Sequence, residues 1–172
     1  MGWPSTIVLL GSAMVFSAAA FLPARADDTV FRSVLDGSVL DVTPKPGEVE
    51  TDAVREFKAL GRNPYNGDAA AVTEGRRLYQ ARCQGCHLRD GKGGLGPSLV
   101  TDEPLYFRLT TDVGLFEIIY GGASGAMQPF AKQGLRQENI LKVMAYLRSL
   151  RSPHSSTDHI SPFRPDNQSL VK

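Results

Sequence analysis

This 172-residue chain has two cysteines, three positions apart, with a histidine directly after the second: Cys83-Gln84-Gly85-Cys86-His87. No other feature restricts the fold as strongly. Two thiols held at this spacing can add to the two vinyl groups of a porphyrin, and the adjacent imidazole then reaches the iron from one side. The motif predicts one covalent haem c, with Cys83 and Cys86 as its anchors and His87 as the first axial ligand. Two other readings use the same residues. A disulfide redox pair expects a βαβ setting, of which the sequence gives no sign. A zinc site needs two further ligands, and the other histidines, His154 and His159, lie in a polar C-terminal stretch.

Thioether attachment belongs with export, and the N-terminus has the matching pattern. An apolar run from Ile7 to Leu22 leads to Ala24-Arg25-Ala26, a small-residue cleavage site, just before Asp27-Asp28. The run is shorter than the roughly 20 residues of a spanning helix. Residues 1–26 are therefore expected to be a removable signal, leaving a periplasmic chain with no stable membrane span. The segment before the run has no Lys or Arg, which departs from the usual signal pattern.

Residues 27–172 suffice for one domain with an appendage. Of the 19 basic side chains only Arg25 lies in the signal, so the remainder balances 18 acids with 18 bases, and nucleic acid is not an expected partner. The balance is uneven along the chain. Residues 27–68 hold nine acids against five bases, and residues 69–172 nine against thirteen. An acidic arm followed by a basic body is either two ordinary solvated faces or a polarised surface that orients docking.

The expected architecture is mainly α, with few short helices and an extended N-terminal arm over 27–66. In the arm, Thr43-Pro44-Lys45-Pro46-Gly47 is a strong loop signal. A short helix follows, capped by Thr51 or Asp52, with Val54, Phe57 and Leu60 at helical spacing and Gly61 as its stop. The haem-bearing domain spans 67–152. Asp68 caps a helix running to about Gln84, which delivers the cysteines at its C-terminal end. Another runs from about Asp112 to Tyr120, capped by Thr110 or Thr111 and stopped by Gly121-Gly122. The last covers about Gln137 to Leu150, with Ile140, Val143, Met144, Leu147 and Leu150 on one stripe and no good capping side chain at its start. Gly75 and Tyr79 are placed to let this helix pass closely, with Tyr146 or Leu147 filling the gap. Residues 153–172 lack periodicity and are expected to form a flexible tail.

The iron has a sixth position to fill. Met144 falls on an apolar stripe, where methionine is ordinary core filler. Met127 lies in Gly121-Gly122-Ala123-Ser124-Gly125-Ala126-Met127-Gln128-Pro129, a loop free enough to lay a thioether over the open haem face. Met127 is the leading candidate; the alternatives are His154, His159, or a position left open for substrate. Pro97, in Gly96-Pro97, is spaced so that a nearby carbonyl can take the proton of the imidazole's other nitrogen. Tyr106 and Arg108 are candidates for a haem propionate, with an exposed salt bridge as the competing role for Arg108.

The motif Cys83-Gln84-Gly85-Cys86-His87, with Gly96-Pro97-Ser98-Leu99 and the distant Met127, resembles class I cytochromes c over residues 68–151. A narrower likeness adds Gly61-Arg62-Asn63-Pro64-Tyr65-Asn66-Gly67-Asp68, the stretch from Thr111 to Gly122, and Leu141-Lys142-Val143-Met144-Ala145-Tyr146-Leu147-Arg148. Together these are similar to cytochrome c-L, the periplasmic electron acceptor of methanol dehydrogenases that use pyrroloquinoline quinone (PQQ), the lanthanide-dependent kind included. The resemblance implies the class I cytochrome c fold around one covalent haem, held by Cys83 and Cys86 and ligated by His87 and Met127. It implies single-electron transfer from the reduced quinone of a methanol or other alcohol dehydrogenase to a small cytochrome c or an oxidase. The neutral balance of the mature chain departs from the acidic balance typical of that family. An enzyme or sensor with an open iron, such as a haem peroxidase, is the competing function, and a haem-free module using the two cysteines is a third.

Overall fold

The computed structural model describes residues 29–101 and 107–151. The expected signal at 1–26, the tail from 153, and Tyr106, His154 and His159 lie outside the described residues. Regular structure consists of α1 (Asp52–Leu60), α2 (Ala69–Arg82), α3 (Gln84–His87), a 3-10 turn (Phe107–Thr110), α4 (Asp112–Gly121) and α5 (Gln137–Leu150). Among the described residues the one strand-like pairing is an isolated antiparallel bridge between Arg32 and Val39. The fold is mainly α, as the sequence implies, and no described helix is long and apolar enough to cross a membrane.

Local chemistry sets most helix starts. A first turn leaves backbone N–H groups without intrahelical partners, and a short polar side chain at the cap accepts from them. Thr51 Oγ1 accepts from Val54 N, the Asp68 carboxylate from Ala71 N at 2.6 Å, and Thr111 Oγ1 from Gly114 N at 3.0 Å. Of the paired alternatives, Thr51 and Thr111 are thus the caps. Helix α5 has no cap of its own, since Arg136 makes no capping bond. Its first amide, Gln137 N, donates instead to Glu48 Oε1 at 2.6 Å, a carboxylate supplied by the N-terminal arm.

The core is organised by the crossing of α2 and α5. At the crossing, a Cβ on Gly75 would lie 1.9 Å from the Lys142 carbonyl oxygen and 3.1 Å from Tyr146 Cβ, so only glycine admits this approach. One turn later the Tyr79 ring packs on Tyr146, centroids 5.3 Å apart. Met144 is fully buried among Ile140, Leu141 and Val143, which makes it core filler.

The segment expected to be an extended arm contributes to the core. Phe31 is buried and joins Phe57 of α1 and Phe116 of α4 in a three-ring cluster with centroids 5.0 to 5.5 Å apart. Beside it, Glu117 is fully buried in α4. One carboxylate oxygen accepts from Arg32 N at 2.6 Å and the other from the Arg108 guanidinium, at 2.8 Å from Nε. A buried carboxylate persists only when paired and hydrogen-bonded in this way. The Asn63–Asn66 turn is locked similarly: Asp112 accepts from Asn63 N and Asn66 Nδ2 on one oxygen and from Arg148 Nε at 3.0 Å on the other, while Asn63 Nδ2 donates to Leu141 O at 2.7 Å.

Two outcomes follow. Gly75→Ala forces the two helices apart and should cost about 3 kcal/mol or more in chemical denaturation, the upper end for overpacked cores. Glu138, at the start of α5, receives hydrogen bonds from Lys142 and the Tyr65 hydroxyl, and these hold its carboxyl below the ordinary carboxylate range. A depressed folded pKa adds stability that is fully present above the unfolded value of about 4.3 and is lost as pH falls through the folded value. Glu138→Gln should lower stability at neutral pH, flatten the acid side of the profile below about pH 5 and converge on the parent near pH 3; urea midpoints from about pH 3 to 7 measure both.

Candidate functional site

Helix α2 ends at the motif. Cys83 closes α2, its amide donating to Tyr79 O at 2.8 Å, and opens the single turn α3, where the His87 amide donates back to Cys83 O at 3.0 Å. Both thiols are free, Cys83 half-buried and Cys86 exposed. Burial pushes the Cys83 thiol up to about 12. It is therefore a neutral thiol near pH 7 rather than a reactive thiolate. Among the described residues no cluster of three or more metal-binding side chains exists, so the zinc reading finds no support there.

His87 is buried, and its ring is fixed from two directions. Nδ1 lies 2.9 Å from Pro97 O. A carbonyl only accepts, so Nδ1 carries the proton and the remaining nitrogen, Nε2, is the one able to bind a metal. The chain between them folds back on the motif: Gly93 N donates to His87 O, Gly96 N to Cys86 O at 2.9 Å, and Leu99 N to Gly91 O at 2.8 Å. Gly96 lies flat against the imidazole, where an added Cβ would stand 2.6 Å from Cε1. These bonds place the Pro97 carbonyl behind the ring, in the position a ligand-orienting acceptor takes in metal sites.

Two parts of this site were not read from the sequence. The Tyr79 hydroxyl donates to Leu88 O at 2.8 Å, tying the last turn of α2 to the residue after the motif. Leu88 has φ of +60°, the one non-glycine residue with positive φ among those described. Such backbone costs on the order of 1–3 kcal/mol and persists only where its surroundings impose it. The position of Tyr79 one turn before Cys83 was the available signal; the strain at Leu88 has none in the sequence.

Met127 lies in the loop between α4 and α5, partly buried against the core, and its carbonyl accepts from Ala123 N at 3.0 Å. Arg108 pairs with Glu117, with 47% of its side chain exposed. The donor set, two free thiols and a carbonyl-oriented imidazole on consecutive turns, fits haem c.

A helical frame that presents these groups from the end of one helix is that of a class I c-type cytochrome. The family model for cytochrome c oxidase, cbb3-type, subunit III matches residues 70–147. The crystal structure of cytochrome cL from the marine methylotrophic bacterium Methylophaga aminisulfidivorans is 40% identical, with a TM-score of 0.69 over 72% of this chain and 81% of that one. The structure of cytochrome cL from Hyphomicrobium denitrificans is 36% identical, with a TM-score of 0.69 over 82% and 88%. The chain is also 39% identical over 122 residues to cytochrome c-L of Methylorubrum extorquens, covering 70% of this chain but only 61% of that relative. It matches the Cbb3-type cytochrome c oxidase subunit CcoP of Rubrivivax gelatinosus at 32% identity, over 31% of that protein's length. The chain belongs to the cytochrome c-L family. Its likeness is to haem c proteins of the cytochrome class.

Gly96→Ala should push the loop off the imidazole and break the bond from His87 Nδ1 to Pro97 O. The expected result is a higher midpoint potential, because the imidazole loses the basicity that the bond lends it, and weaker retention of axial ligation, at unchanged covalent haem content by in-gel haem staining. Potentiometric titration of purified holoprotein reads the first two.

Proposed function

We propose that this protein is a periplasmic carrier that takes single electrons from a PQQ-dependent alcohol dehydrogenase, methanol dehydrogenase foremost, and passes them to a small cytochrome c or an oxidase. The observation that carries this reading is the likeness to solved cytochrome cL structures, at 40% identity over 72% of this chain and 36% over 82%. Export by a signal in residues 1–26, an arm over 27–66 and a haem domain over 67–152 belong to the same proposal.

The residue roles follow from chemistry. Bound haem supplies a one-electron iron couple. Cys83 and Cys86 hold it through thioether bonds, and His87 donates Nε2 with its tautomer fixed by the Pro97 carbonyl. Met127 would offer the iron a neutral thioether; relative to a second histidine this raises the potential, which suits an acceptor of electrons from a reduced enzyme. With His87 and Met127 both engaged, the polypeptide would exclude small ligands and perform no acid–base step. Tyr106 and Arg108 are proposed to lie beside a propionate, Arg108 being anchored meanwhile by Glu117.

A second reading, a haem module that docks on a terminal oxidase, rests on the cbb3 family match over residues 70–147. The small share of CcoP that the chain covers favours the first. Stopped-flow mixing of oxidised holoprotein with reduced PQQ methanol dehydrogenase decides between them. Haem reduction within the enzyme's turnover time is expected, together with slow carbon monoxide binding by the reduced form. No reduction by any PQQ dehydrogenase, or rapid carbon monoxide binding, would overturn the proposal.

A further inference from the structure

The loop bearing Met127 has 15 residues between α4 and α5, with glycines at 122, 125 and 134. The N-terminal arm meets it at its beginning, middle and end. Before the loop, Tyr120 Oη donates to Asp41 O at 2.7 Å. Midway, Lys45 Nζ donates to Ala131 O at 2.8 Å, four residues after Met127. At the far end, Glu48 Oε1 accepts from Gln137 N, the first amide of α5.

The last two contacts come from one small turn. Glu48 N donates to Lys45 O at 2.8 Å, and the second Glu48 oxygen accepts from Lys45 N at 3.2 Å, so the cation and the carboxylate are held in fixed relation. Pro44 and Pro46 flank Lys45, and proline fixes its own φ. A stiff turn presenting one charged donor and one charged acceptor makes two charge-assisted hydrogen bonds to backbone groups, the stronger kind. Both backbone groups belong to the Met127 loop or the helix that closes it.

We propose that the Pro44–Glu48 turn is a clamp for the Met127 loop, with Lys45 and Glu48 as positioning residues that set how firmly the sixth ligand is held. The proposal rests on Met127 being that ligand. Each acts through the backbone it bonds, Ala131 O for Lys45 and Gln137 N for Glu48. Loosening the clamp lets the thioether leave more often, which admits external ligands.

The test uses oxidised holoprotein and free imidazole as the competing ligand. Lys45→Met and Glu48→Ala should each bind imidazole about tenfold faster than the parent, the factor that the loss of one such hydrogen bond carries, and should weaken the long-wavelength iron–thioether band. Lys45→Arg, which keeps a cationic donor, should restore most of the parent rate. Thermal melts of the same samples report global stability separately. A lowered melting temperature with parent-like imidazole rates and band would show that the turn only stabilises the fold, and would overturn the clamp. Met127→Ala serves as the reference: it should abolish the band and give the fastest imidazole binding. If Met127→Ala leaves the band intact, the ligand assignment fails and the clamp fails with it. If it abolishes the band while the turn variants match the parent, only the clamp fails.

Discussion

The approach of α2 to α5 at Gly75 is the constraint on which the rest of this structure depends. The Lys142 carbonyl occupies the space a side chain would need, so the two axes have one close contact point and one relative orientation. Everything that makes the site is placed outward from there along α2. Tyr79, one turn on, packs on Tyr146 and sends its hydroxyl to Leu88 O. Cys83 comes next, at the end of the same helix. The haem motif is therefore held rigidly because the helix before it cannot rotate or slide against the last one. His87 gains its orientation from the loop that returns over it, and that loop is itself anchored on motif backbone.

A second theme is the placement of charge inside the fold. Glu117 and Asp112 sit on α4, and each gathers donors from segments distant in sequence: Arg32 and Arg108 in one case, Asn63, Asn66 and Arg148 in the other. These carboxylates act as junctions that tie α4 to the N-terminal segment and the 3-10 turn in one case, and to the Asn63–Asn66 turn and α5 in the other. Such junctions favour specificity of arrangement more than net stability, because the desolvation of a buried carboxylate offsets much of what its partners return. A cytochrome of this size has few helices and long connections, and its loops need fixed positions to hold a cofactor.

The helices and the motif were legible in the sequence because their causes are local. Threonine and aspartate caps, apolar spacing at three and four residues, and terminal glycines gave α1, α2, α4 and α5 within a residue or two. The close crossing at Gly75 was legible too, from a glycine one turn before an aromatic. The capping of α5 was not, because its acceptor, Glu48, stands 89 positions away. Glu117 was passed over for a related reason: a charged residue in a helix reads as solvated. The signal was there, since Phe116 and Ile118 flank it and apolar residues surround it on every side of the helix, which forces an internal partner. The arm read as loop from its prolines and glycine, correctly for its local form, but a single phenylalanine gives no periodicity from which to infer that Phe31 belongs to the core.

The arm's bonds also impose an order of events. Arg32, Tyr120 with Asp41, Lys45 and Glu48 all join positions between 79 and 89 residues apart. Contacts of such long sequence separation carry a large loop-closure cost and form late. With the chain emerging N-terminus first, the first part out waits for the last helix before it can settle. The two cysteines pass in the interval, on a helix whose partner α5 has not yet arrived. The architecture thus gives the covalent step a window in which the motif is out and the strap across the far side of the molecule is still undone.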